Sequence, residues 1–258
     1  MPQFNELDFT VDKFRRLCSS MTDKYTFLKM AEYVAAGDKL PDNFVLMRHD
    51  VDVSAKNALK IARIEEEFGI CSTYYFRTTK KTFVPEIIQD IEKMGHEIGY
   101  HYETLSKTNG DYEKAIKLFE NEVHKFRKIC NLKTISMHGA VLSKYDSRDL
   151  WKYYDFRDFG LIGEAYLSVA KNLNYFTDTG RGWNSKNNLR DFIPGKTEHA
   201  FVETTDNLIE LIESSQISNF YITLHPNRWK STVFDWSLWW LQELALNSGK
   251  RVLIAVRR

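Results

Sequence analysis

This sequence predicts an α/β fold, a distorted (β/α)7 barrel with an N-terminal helical extension. Three observations predict it. From residue 44 onward, short apolar segments that end in polar residues alternate with amphipathic helical stretches, the rhythm of parallel strands joined by crossover helices. About seven segments read as strands, the number a nearly closed barrel uses. The 258-residue length holds one such barrel with a full core. No repeat or low-complexity linker divides the chain. It therefore reads as a single domain over 1–258, with helices over 1–40 packed on a barrel spanning 44–258. A doubly wound open sheet is the rival architecture, and in either one ligands gather at the C-terminal ends of the strands.

The elements follow in order. TVDKFRRLCSSM and KYTFLKMAEYVAAG carry apolar residues at three- and four-residue spacing and predict two helices, the second closed by Gly37 and Pro41. FVLMRHDVD (44–52) is the first strand. Ser54 is placed to cap the helix AKNALKIARIEEEFG, which Gly69 stops. STYYFR (72–77) is the next strand, and VPEIIQDIEKMG is a helix with Pro85 in its first turn. HEIGYHYE (96–103) precedes a long helix that begins near Asp111, and TISMHG (134–139) is a fourth strand. GLIGEAYL (160–167) and YFTDTG (175–180) are weaker strand candidates. TTDNLIELIESS is a helix, NFYITLHP (219–226) a strand, DWSLWWLQELALNSG the last long helix, and KRVLIAVRR a closing strand with a basic tail.

The bulk numbers exclude several classes. A net charge of +1 with both signs well mixed points away from nucleic acid and from a polybasic membrane binder. Three widely spaced cysteines, Cys18, Cys71 and Cys130, form no disulfide framework and fit a reducing compartment. The polar opening MPQFNELDFTVDKF has no apolar signal-peptide core, and no stretch reaches the 18 or so apolar residues of a membrane span. The expectation is a cytoplasmic protein.

The chemistry-bearing residues fall at the strand ends. Side chains alternate faces along a strand, so Asp50 and Asp52 share a face while His49 takes the other. The same rule pairs His101 with Glu103, Ser136 with His138, and Thr223 with His225. Asp178 ends YFTD. A single histidine or aspartate at a strand end ordinarily caps a loop, but four strands ending in metal-capable residues form a pattern. Inward-pointing, they bring aspartates, histidines and a glutamate to one rim. Neutral imidazole with carboxylate can hold Zn²⁺ or a similar ion with a position left open for water. A carboxylate and a histidine can also divide base and acid work. Together these describe metal-assisted hydrolysis. His96, ahead of its strand, is expected to pair with backbone or a carboxylate. His124 and His199 are expected in solvent.

In order and spacing, RHDVD, STYYFR, GHEIGYH and TLHP resemble the anchors of the polysaccharide deacetylase superfamily, the NodB-homology or carbohydrate esterase family 4 type, over roughly residues 44–250. The resemblance implies a divergent member. It implies a distorted (β/α)7 barrel that removes N- or O-acetyl groups from glycans with a divalent metal, zinc being the leading choice. RHDVD stands where the family has adjacent aspartates, so Asp50 and Asp52 are candidates for catalytic base and metal ligand in either order; the working assignment makes Asp50 the base and Asp52 the ligand. His101 matches the first histidine of the family's pair. Leu105 occupies the place of the second and cannot coordinate. Either Glu103 or His138 is the candidate replacement ligand.

His225 matches the family's acid histidine. Asp178 in TDTGRGW resembles the aspartate–tryptophan motif that orients the catalytic groups. Arg181 and Trp183 are candidate substrate contacts, and Arg228 and Trp229 in HPNRW would grip the sugar or a phosphate on it, local pairing and mouth-covering being their plainer roles. The function so implied is a metal-dependent hydrolase removing an acyl group from a sugar or glycan precursor. The alternatives are a metal-independent C–N hydrolase on the same barrel and a catalytically silent carbohydrate-binding barrel.

Overall fold

The computed structural model describes residues 7–140, 143–180, 182–183, 190–194, 202–242 and 244. In order they form α1 (Val11–Thr22), β1 (Thr26–Leu28), α2 (Met30–Ala36), β2 (Phe44–Val51), α3 (Ala55–Glu67), β3 (Thr73–Phe76), α4 (Pro85–Lys93), β4 (Glu97–Tyr102), α5 (Thr104–Lys107), α6 (Tyr112–Arg127) and β5 (Thr134–Met137). Two 3₁₀ turns, β6 (Gly163–Glu164), β7 (Asn174–Thr177), α7 (Thr205–Glu213) and β8 (Asn219–Leu224) follow, then a helix over 233–242.

Every ladder is parallel, and the strands run β6-β5-β4-β3-β2-β8-β7. β2 pairs with three other strands. β8 runs along one edge of it. On the other edge β1 pairs with the first half, Thr26 against Phe44, and β3 with the second half, Arg48 against Thr73. Among the described residues no ladder joins β6 to β7. Side chains draw these ends together instead: the Tyr221 hydroxyl of β8 donates to the Ala165 carbonyl just past β6 at 3.1 Å. The sheet is thus a curled, distorted barrel left open between its first and last members. The expected closing strand KRVLIAVRR lies outside the described residues.

Two expectations need correction. The N-terminal 40 residues are not purely helical: Thr26–Leu28, expected inside a helix, forms β1. Tyr25, Thr26 and Phe27 favour extended backbone, and the Tyr25 hydroxyl anchors the turn into β1 by donating to the Ile217 carbonyl at 2.6 Å. The strand expected over 160–167 shrinks to Gly163–Glu164. The buried Glu164 carboxylate accepts the N–H groups of Tyr166 and Leu167 at 2.8 and 2.9 Å, which turns the chain at once.

Helix ends follow the local signals. Pro85 opens α4, Asp111 caps α6 by accepting the Lys114 N–H, and Gly69 adopts φ +66° just past α3. Ser54 sits at the N-cap of α3, although its side chain makes no capping bond.

Alternation along each strand separates two packed layers. Met47, Val51, Tyr74, Phe76, Tyr100 and Tyr102 face outward into one apolar cluster with the helices. Phe44, Leu46, Tyr75, Tyr175 and Tyr221 face inward and plug the barrel. The inward face of β2 changes character along its length, from Phe44 and Leu46 through Arg48 to Asp50, with Asp52 just beyond its end. That gradient sets an apolar floor under a polar mouth. Among the described residues, no helix is long and apolar enough to cross a membrane.

Candidate active site

The polar mouth gathers groups from the ends of β2, β4, β5, β7 and β8. The donor atoms of Asp52, His101 and His138 all lie within 4.8 Å of one another. His101 Nε2 is 3.3 Å and His138 Nε2 3.4 Å from Asp52 Oδ1. The two imidazoles stand nearly perpendicular, their centroids 5.2 Å apart. Each ring is held through its other nitrogen. His101 Nδ1 lies 3.0 Å from the Ser136 carbonyl, so it donates there and turns Nε2 toward Asp52.

This donor set fits a divalent cation. Asp52 Oδ1 is buried and has no hydrogen-bond partner, an arrangement that costs free energy unless something positive completes it. Burial alone would raise the Asp52 carboxyl, but His138, His101 and His225 outweigh it and hold the group well below the usual carboxylate range. Two imidazole nitrogens and one carboxylate are a ligand set suited to zinc with an open position.

Leu105, where the motif resemblance leads one to expect a second histidine, is buried in the apolar layer from the short helix α5. A side chain there faces the core rather than the mouth. His138 stands just past β5 and extends that strand's ladder through its N–H, which donates to the Tyr102 carbonyl at 2.8 Å. Arg190 braces the loop behind it, donating to the carbonyls of Gly139, Ala140, Ser143 and Tyr145 at 2.6–3.3 Å.

Glu103 shares this mouth but lies outside the clustered donor atoms. Its carboxylate accepts from Arg77 Nε and Nη2 at 2.8–3.2 Å and sits 3.0 Å from His138 Nδ1. Burial would raise its pKa, but His138 and Arg77 bring it down to about 2.

A second group lies alongside. His225 Nδ1 is 2.6 Å from Asp178 Oδ1, and the His225 backbone N–H donates to Asp178 Oδ2 at 2.9 Å. The other ring nitrogen, Nε2, faces Asp52 Oδ2 at 3.7 Å. Burial lowers the imidazole pKa, but Asp178 at contact distance and Asp52 beyond it more than offset this, and the value stands above that of an ordinary histidine. Arg228 is buried and donates to the Asp178 backbone carbonyl, so its guanidinium holds the loop carrying Asp178.

Asp50 is 2 % exposed. Its Oδ2 accepts from Arg48 Nη2 at 3.2 Å and lies 3.7 Å from His101 Nε2, while Oδ1 is buried without a hydrogen bond. Arg48 itself is fully buried. It donates to the Tyr221 hydroxyl at 2.6 Å, reaches Asp191 at 3.4 Å and lies 4.1 Å from the centroid of the Tyr166 ring. Asp191 accepts from Tyr166, Tyr175, Thr177 and Thr179 as well.

Arg48, Asp191, Arg77 and Arg190 were not singled out by sequence. Arg48 was legible in principle, since it stands two residues before Asp50 on the same strand face. Asp191 and Arg190 lie in irregular chain with no periodicity to place them.

Of the four expected substrate contacts, Arg181 lies outside the described residues. Trp183 and Trp229 are 2 % and 3 % exposed. They pack with Phe9 and Phe14 in an aromatic cluster, and the Trp183 indole N–H donates to Thr205 at 3.1 Å. Both have almost no surface to offer a ligand. His96 accepts the Ser72 N–H at 3.1 Å and approaches Glu65 at 3.6 Å. His124 is exposed on α6, and His199 lies outside the described residues.

No family model and no curated protein matches this chain. Among solved structures it is similar to a CE4 family pseudoenzyme from Bacillus anthracis, at 12% identity over 83% of this chain and 66% of that one, with a TM-score of 0.39. A mutant of that pseudoenzyme with restored enzymatic activity is matched at 12% identity over 83% and 69% of the two chains, TM-score 0.39. A mutant of the peptidoglycan deacetylase PdaC from Bacillus subtilis is matched at 12% identity over 84% and 96%, TM-score 0.41.

Proposed function

We propose that this protein hydrolyses an acetyl amide or ester on a sugar or glycan precursor, using a divalent cation held by Asp52, His101 and His138. The observation that carries the reading is the meeting of those donors within 4.8 Å at the same mouth as the Asp178–His225 pair and the Asp50 carboxylate. The acetylated-sugar substrate class comes from the motif resemblance of RHDVD, GHEIGYH and TLHP.

When bound, a divalent ion supplies Lewis-acid polarisation of the acyl oxygen and a more acidic water, with zinc the best match to the donor set. The chain's own residues do the rest. Asp50 takes the proton of the attacking water at Oδ1, the oxygen that carries no hydrogen bond. Arg48, bonded to the other oxygen, fixes the orientation of that carboxylate. His225 Nε2 delivers a proton to the leaving nitrogen or oxygen. Asp178 holds the Nδ1 proton, so the ring can carry a charge while Nε2 stays aimed at the mouth. Arg228 acts as the clamp on the aspartate that holds His225.

The test is direct. Zinc-loaded protein is offered acetylated amino-sugar oligomers and a chromogenic acetate ester, and acetate release is followed. Wild type should release acetate and lose activity to a chelator, and Asp50→Asn should abolish turnover. Turnover that survives complete metal removal would favour the metal-independent C–N hydrolase. Binding without turnover, unaffected by Asp50→Asn, would favour the silent carbohydrate-binding barrel.

A further inference from the structure

We infer that Phe192 is a specificity-determining residue, a stacking platform for a pyranose ring at the rim of the mouth. This rests on the reading of the site as one that takes a sugar, and it names where the sugar ring lies. Residues 190–194 cross the rim from the β5 side to β7. Arg190 donates to the carbonyl of Gly139, the residue after His138, at 3.0 Å. Asp191 turns into the barrel, where Thr177 at the end of β7 donates to it and Arg48 lies 3.4 Å away. Ile193 is buried among the inward-facing side chains. With both neighbours directed inward, Phe192 is turned outward, and it is 41 % exposed.

A single exposed apolar side chain is ordinary. What sets Phe192 apart is how its ring is held. The Arg148 guanidinium carbon lies over the ring, 5.2 Å from its centroid, and Arg148 Nη1 donates to the Phe192 carbonyl at 3.2 Å. Arg148 is buried and is locked in turn by Asp146, which accepts from Nε and Nη2 at 2.7–3.3 Å. The same guanidinium lies 5.2 Å from the centroid of Tyr166. Tyr166 meets Arg48, and Arg48 bonds Asp50. Arginines and rings thus alternate in one chain of contacts from the Asp50 carboxylate to an exposed aromatic surface.

That surface selects its occupant. Arg148 already sits on the electron-rich face of the ring, so a second cation is disfavoured there. The C–H face of a neutral pyranose is apolar and flat enough to stack, and its rim of hydroxyls can meet the polar groups of the mouth. Because the ring is braced before any ligand arrives, little side-chain freedom is lost on binding.

The test measures binding of an N-acetylglucosamine tetramer to the full chain by calorimetry, beside its deacetylation. Wild type should bind it. Phe192→Ala should weaken binding about 3–10-fold, the size of an aromatic stacking contact. Phe192→Trp should bind at least as tightly as wild type. Phe192→Leu, apolar but without a flat face, should bind as weakly as Phe192→Ala. The NMR signals of the Phe192 ring in wild type should shift as the tetramer is added, a readout that needs no variant. Unchanged affinity in Phe192→Ala, full affinity in Phe192→Leu or unmoved ring signals would each overturn the inference, and continued deacetylation would leave the hydrolase standing. Tetramer bound with this variant pattern but never deacetylated supports the platform and overturns the hydrolase reading. Wild type that neither binds nor deacetylates the tetramer overturns both.

Discussion

At the scale of single residues, the site divides into groups that would hold charge and groups that would move protons. Asp52→Asn, His101→Ala and His138→Ala should each strip zinc from the purified protein, read by metal analysis; retention of the full complement by any one removes it from the ligand set. His225→Ala should lower kcat by about 10²–10⁴, the usual worth of a general acid, with KM nearly unchanged. A rise in KM alone would make His225 a binding residue. Its raised pKa also gives the sign of the pH dependence. The acid form is present below that value, and the rate should fall as pH rises through it. Asp178→Asn should move this basic limb downward, because the partner that raises the imidazole is gone. Such roles were partly legible: period-two alternation aligned Asp50 with Asp52 and His101 with Glu103. Which of Glu103 and His138 clusters with Asp52 and His101 was not, because that depends on Arg77 arriving just past β3 to pair with Glu103.

At the scale of elements, β4 shows how one small residue positions its neighbours. A Cβ on Gly99 would lie 2.2 Å from the Tyr75 ring and 3.1 Å from the Thr134 carbonyl. The tyrosine crosses the barrel interior there and reaches the Thr134 hydroxyl at 2.9 Å. Gly99→Ala should therefore cost about 2–3 kcal/mol by overpacking, measured by chemical denaturation; an unchanged midpoint would mean the ring moves aside freely. The contact between α3 and the sheet carries a pH sensitivity of its own. Glu65 is buried against His49 at 2.6 Å, with Ser72 and Tyr74 donating to it and His96 nearby. Burial would raise Glu65, but His49 and its other partners hold it lower than usual, whereas burial is the main reason His96 is depressed. Both folded-state values lie below the unfolded ones. The stability they contribute is complete above about pH 6.5 and falls as the unfolded chain takes up protons, first on His96 and then, below about pH 4.5, on Glu65. His96→Gln should flatten the decline between pH 6.5 and 5, and an unaltered slope would refute the assignment.

At the scale of the whole molecule, the proposed cation binding would be linked to folding. The three clustered donors come from the ends of three different strands, β2, β4 and β5, so they meet only in the folded barrel. Zinc at a thousandfold excess over its dissociation constant should then stabilise the protein by about 4 kcal/mol and raise the melting temperature by several degrees. His138→Ala should remove that increment, and an equal increment in the variant would place the ion elsewhere. The sequence by itself determined the alternation of strands and helices, the shared strand faces of acidic and imidazole side chains, and the helix boundaries at Gly69, Pro85 and Asp111. These are properties of neighbours in the chain, where periodicity and capping act. It misread Thr26–Leu28 and overextended β6, because pairing with β2 and the Glu164 turn are contacts made across the fold. Only the tertiary structure decided that Leu105 belongs to the core, that Trp183 and Trp229 are buried in an aromatic cluster with Phe9, and that a fully buried Arg48 bonds to Asp50. The physical reason is one of distance: a side chain's direction is set by its own strand, but its partner is set by which strand lies next to it.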